Sequence, residues 1–114
     1  MSNDLIASVC NLPRDFRSIR TKSVVALLRA SGYFDWYAEV SVDSVRAHLA
    51  AEPALVRDWL SWSADKRTNS GWYLLEDGTV GYHPDGPQLR FTDTMTACAQ
   101  FIVRELESVR QHAG

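Results

Sequence analysis

The stretch 53–82 constrains the fold more than any other, because hydrophobic spacing inside it switches from helical to strand-like. Upstream of the switch, Leu55, Val56, Trp59, Leu60 and Trp62 form a broad apolar helical face, with Pro53 tolerated in the first turn. Lys66 and Arg67 close that helix at its negative end. Downstream, residues 72–75 and 79–83 read as two antiparallel strands joined through Glu76-Asp77-Gly78-Thr79, and the Asp-Gly pair predicts a two-residue hairpin turn. That register sets Tyr73 against Tyr82 and Leu75 against Val80 on one face, with Trp72 against His83 and Leu74 against Gly81 on the other. Pro84-Asp85-Gly86-Pro87 then turns the chain into a short third strand at 88–91.

Helices are predicted on both sides of this meander. Leu5, Ile6, Val9 and Cys10 share one helical face, which Pro13 limits. Phe16 and Ile19 give a second apolar edge, while Arg14, Arg17 and Arg20 recur at i, i+3, i+6 as a basic stripe. Val24, Val25, Leu27 and Leu28 form a core helix, capped by Thr21 or Ser23 and stopped by Gly32. Ser41 reads as the N-cap of a further helix through Val42, Val45 and Leu49, broken near Glu52-Pro53. After Thr92 or Asp93, a final helix aligns Met95, Cys98, Phe101, Ile102, Leu106 and Val109, with Arg104, Glu107 and Arg110 opposite. The expected class is α+β: N-terminal helices, a three-stranded antiparallel β-meander, and a C-terminal helix packed on the sheet. No repeat or linker divides the chain, so residues 1–114 are read as one domain.

Composition narrows the classes of function. A chain of 114 residues with 46% hydrophobic side chains buries roughly 65% of its unfolded surface without a metal or disulfide staple. Cys10 and Cys98 lie in apolar helical patterns outside any ligand spacing, so they are expected reduced, buried and unjoined. Neither a basic leader nor an apolar run of about 18 residues is present, which predicts a cytoplasmic protein without membrane association. Ten arginines against two lysines suggest a GC-rich bacterial source. The net charge of −2 is unevenly spread, with +3 over residues 1–32 and −5 over residues 33–95, which argues against nucleic acid as partner. The short joint between the two central helices is superficially like a helix-turn-helix, but the second helix spends its face on packing rather than on base edges.

Two groups of residues stand out as candidate sites. Asp65, Lys66 and Arg67 at a helix end, followed by Trp72, compose a corner that would hold an anion or carboxylate. The Ser63-x-Asp65-Lys66-Arg67 run with Gly71-Trp72-Tyr73 resembles one found in small bacterial proteins of uncharacterised function, a resemblance that implies no activity. Tyr33, Phe34, Trp36 and Tyr37 place four aromatics in five positions directly after a Gly stop, a density that demands either a core or a partner. His48, His83 and His112 show no ligand spacing, and the common hydrolase, P-loop and dinucleotide motifs are missing, so no cofactor, metal or catalytic residue is assigned. The expected function is non-enzymatic binding of another protein, of an immunity or adaptor type, through aromatic and acidic surface at 33–83. A second copy of the chain is the other partner such a surface admits. An anionic-ligand site using Lys66, Arg67 and Trp72 is the alternative.

Overall fold

The computed structural model describes residues 2–18, 23–65 and 71–113. Among these, helices α1 (Ser2–Cys10), α2 (Leu12–Ser18), α3 (Val24–Ser31), α4 (Tyr33–Trp36), α5 (Val42–Ala51) and α6 (Ala54–Asp65) precede strands β1 (Gly71–Leu74), β2 (Thr79–His83) and β3 (Gln88–Arg90). Helix α7 (Thr94–Ala113) closes the chain, and a 3-10 turn, Tyr37–Glu39, links α4 to α5. The predicted architecture is the observed one: helices, an antiparallel meander in the order β1-β2-β3, and a last helix against the sheet.

Local chemistry sets the helix ends. Ser23 caps α3 by accepting from the Ala26 N–H at 3.1 Å, and Gly32 ends it in the left-handed region at φ 89°. Ser41 and Ser44 satisfy each other's backbone donors at the start of α5, a reciprocal capping box. Asp93 accepts from the Thr96 N–H at 2.7 Å and starts α7. Of the helix-end residues considered, Ile19, Arg20, Thr21, Lys22, Lys66 and Arg67 lie outside the described residues.

The core joins every layer. Leu5, Ile6, Val9 and Cys10 of α1 meet Val45 and Leu49 of α5, Leu55 and Trp59 of α6, and Phe101, Ile102 and Leu106 of α7 in one buried cluster. Trp59 is its largest member, and its indole N–H donates to the Cys10 carbonyl at 2.9 Å, satisfying an acceptor at the C-terminus of α1. Val56, Leu60 and Trp62 are only half-buried, so the apolar face of α6 narrows toward its edges. No described helix is long and apolar enough to cross a membrane.

The hairpin register differs from the expected one by a single residue. Trp72 pairs with Tyr82, Tyr73 with Gly81 and Leu74 with Val80. The loop has three residues rather than two: Leu75 donates to the Thr79 carbonyl, Gly78 donates to that of Leu75, and Gly78 has φ 91°. This is a tight turn closed by a left-handed glycine, which adds one position to the connection. The shift puts Leu74 and Val80 side by side in the core. It also leaves Gly81 beneath the Tyr73 ring, where a Cβ would collide with it. Strand β1 is held on its other side by α6, because Ser63 Oγ accepts from the Leu74 N–H at 2.7 Å.

Candidate functional site

The corner where α3 turns into α4 divides the aromatic cluster. A left-handed Gly32 sends the chain sharply into α4, and Ser31 Oγ braces the turn by donating to Leu28 O and accepting from the Tyr33 N–H. One turn of helix cannot bury four rings on one side. Tyr33 goes inward and is 1% exposed, and Phe34 is half-buried against the core with the Arg29 guanidinium 5.1 Å from its ring centre. Trp36 and Tyr37 face outward, 54% and 39% exposed.

Helix α7 supplies the base on which this corner sits. The Tyr33 hydroxyl donates to Glu107 Oε1 at 2.9 Å, and Arg110 donates to both Glu107 oxygens at 2.8 Å. The Arg110 guanidinium in turn lies 3.7 Å from the Tyr37 ring centre. Burial, reinforced by Glu107, pushes the Tyr33 phenol above its ordinary range, so it remains a donor. The Arg110 hydrogen bonds, with that of Tyr33, hold Glu107 below the usual carboxylate range. Glu107 and Arg110 are therefore not a plain solvated face opposite the core stripe. They tie the aromatic corner to the last helix.

Beside Trp36 opens a groove of about 350 Å³ between α1 and the α3–α4 corner. Asp4, Leu5 and Ser8 form one wall, and Gly32, Trp36 and Glu39 the other. A second groove, of about 400 Å³, runs between α2, α3 and α6 over Phe16 and Trp62, whose rings meet edge-on at 5.6 Å. Asp58 on its rim is clasped by Arg14 at 2.7 Å and Arg17 at 2.9 Å, so two members of the basic stripe join α2 to α6 rather than facing solvent alone. Positions 19–22 and 66–70, which follow α2 and α6 in sequence, lie outside the described residues.

Of the four residues of the expected anion corner, Asp65 and Trp72 lie within the described residues. Asp65 is exposed and lines the second groove with Phe16 and Trp62. Trp72 lies half-buried on the face of β1 toward α7, edge-on to Tyr82 at 5.1 Å and with the Arg104 guanidinium 5.0 Å from its ring centre. Lys66 and Arg67 lie outside the described residues. His83 stacks on Tyr73 at 4.2 Å, and the His112 ring pairs with the Ser108 carbonyl. Both cysteines are buried and unjoined, and burial pushes the Cys10 thiol up to about 12 and Cys98 higher still, far from the thiolate a nucleophile requires. Among the described residues no cluster of His, Cys, Asp or Glu is arranged to hold a metal ion.

Sequence reasoning did not single out Asp4, Gly32 or Glu39 as one wall and another of a groove, nor Glu107 and Arg110 as its support. The i, i+3 spacing of Glu107 and Arg110 was a signal for their pairing. Nothing local signals that a ring 74 residues away donates to the same carboxylate. No protein-family model matches the chain, and neither does any curated protein or solved structure.

Proposed function

We propose that the chain is a non-enzymatic binding domain whose partner is another protein, engaged through Trp36 and Tyr37 and the acidic surface around them. The observation that carries this reading is the exposure of Trp36, a large ring left 54% open on a corner that is otherwise hydrogen-bonded to the core helix. Tryptophan and tyrosine dominate interface energetics when a partner covers them, and a ring held in place beforehand loses little entropy on binding. The Arg110–Glu107–Tyr33 chain supplies that restraint to the backbone of α4. An adaptor or an immunity-type protein, each acting by covering a partner's surface, fits such a patch. The test is association of the wild type, Trp36→Ala and Tyr37→Ala with proteins from the source cell, alongside sedimentation of the purified chain. Loss of one defined complex in both variants supports the reading. Self-association lost in the variants would make the partner a second copy. Retention of every complex in both variants would refute it.

A further inference from the structure

Independently of the Trp36 corner, we infer that β3 pairs antiparallel with β3 of a second copy of this chain, joining two three-stranded meanders into one sheet. The two edges of the meander differ. On β1 the outward Leu74 N–H is taken by Ser63 of α6. On β3 the bonds from Phe91 N–H to Gly78 O and from Tyr82 N–H to Pro87 O fix the ladder, and the register makes Val80 and Leu89 the hydrogen-bonded pair between them. The N–H and C=O groups of Gln88 and Arg90 therefore point away from β2. Among the described residues these groups have no partner, and both residues are exposed. The helices that cover the sheet leave this edge open, since α6 packs on β1 and α7 on β1 and β2.

Register selects a second copy as the occupant. About a two-fold axis, β3 can pair with itself centred on Gln88, Leu89 or Arg90. Centred on Leu89, each Gln88 lies opposite Arg90 of the other copy, and every outward N–H and C=O of both residues finds a partner. Centring on Gln88 or Arg90 uses half of these groups within the strand, and the latter sets Arg90 against Arg90, a like-charge pair. The favoured register also brings the two Leu89 side chains together in the non-hydrogen-bonded pair, where side chains approach most closely, and Leu89 is half-buried outside the buried core cluster. Proline and charge commonly blunt an edge, and here neither does so. The N–H side of Pro87 faces β2, where Gly86 already donates to Tyr82 O, so the outer edge loses no donor. Arg90 lies 3.6 Å from Asp77 Oδ2, which offsets its charge. A strand of three residues buries little area, so the pairing is transient.

Amide shifts of the full chain, followed on dilution from about 1 mM, where weak pairing is populated, test this. Concentration-dependent shifts are expected at residues 87–91, with slowed exchange of the Gln88 and Arg90 N–H groups as concentration rises. A mixture of labelled and unlabelled chains should show Leu89 methyl contacts between copies. Gln88→Pro removes an outward donor on each copy without touching the ladder to β2, and should weaken self-association about tenfold. Leu89→Lys sets like charges across the axis and should weaken it as well. Where one variant fails to fold, the other decides. Trp36→Ala should leave the pairing unchanged, so the edge and the Trp36 corner stand or fall separately. Shifts that ignore dilution, self-association retained in both edge variants, or self-association lost in Trp36→Ala would overturn the inference. Protection of the Gln88 and Arg90 N–H groups that appears only when another protein is added would give the edge to that protein and overturn self-pairing.

Discussion

At the residue scale, Glu107 does more than any other polar side chain to fix the candidate site, since it receives Tyr33 from the core side and Arg110 from the solvent side. Its carboxyl is held below the ordinary value of 4.5, chiefly by Arg110. A carboxylate with a depressed folded pKa contributes stability above its unfolded pKa and loses that contribution as pH falls through the folded one. The stability gap between wild type and Glu107→Gln is therefore expected to be fully present at pH 7 and to shrink below pH 4.5, read from urea midpoints across pH. A gap independent of pH would show that the hydrogen-bond shape rather than the charge matters. Tyr33→Phe removes a buried hydroxyl together with its hydrogen bond and should cost about 1 kcal/mol. The thiols give a separate check on burial: Cys10 and Cys98 should resist labelling in the native chain and react only on unfolding.

Elements were legible in the sequence where the signal was local. Ser23, Gly32 and Ser41 announce their helix ends because caps work within three residues, and the apolar face from Cys98 to Leu106 repeats at helical spacing. The hairpin shows the limit. Asp77-Gly78 marks a turn correctly, yet the same pair serves a two-residue loop and a three-residue loop with a left-handed glycine, and the two differ by one position of register. Only Leu74 and Val80, both drawn into the core, decide between them. Gly78→Ala should destabilise the domain by about 1 to 3 kcal/mol, because a side chain at φ 91° is strained and its Cβ would meet the Phe91 carbonyl. Ser41→Ala should cost about 1 kcal/mol through the lost cap of α5. Thermal unfolding measures both, and a neutral Gly78→Ala would contradict the observed turn.

Across the whole molecule, the contact between the aromatic cluster and Glu107 and Arg110 of α7 escaped sequence reasoning for one reason. Which ring of 33–37 turns inward depends on α7 lying across the corner, and that contact spans more than 70 residues. The sequence shows a dense group of rings and a mixed-charge helix edge, with nothing to say that they meet. Their meeting leaves Trp36 and Tyr37 outside while Trp59 fills the centre, so two tryptophans of one chain have opposite roles. Trp59→Ala should cost about 3 to 5 kcal/mol, as truncation of a buried aromatic does.

Trp36→Ala tests the central claim most directly when urea unfolding and partner association are measured on the same preparation. The predicted result is stability within about 1 kcal/mol of wild type, as for a surface change, with binding weakened by about 2 kcal/mol or more. A stability loss of about 3 to 5 kcal/mol, of the size expected for Trp59→Ala, together with unchanged association, would contradict it and make the corner part of the core.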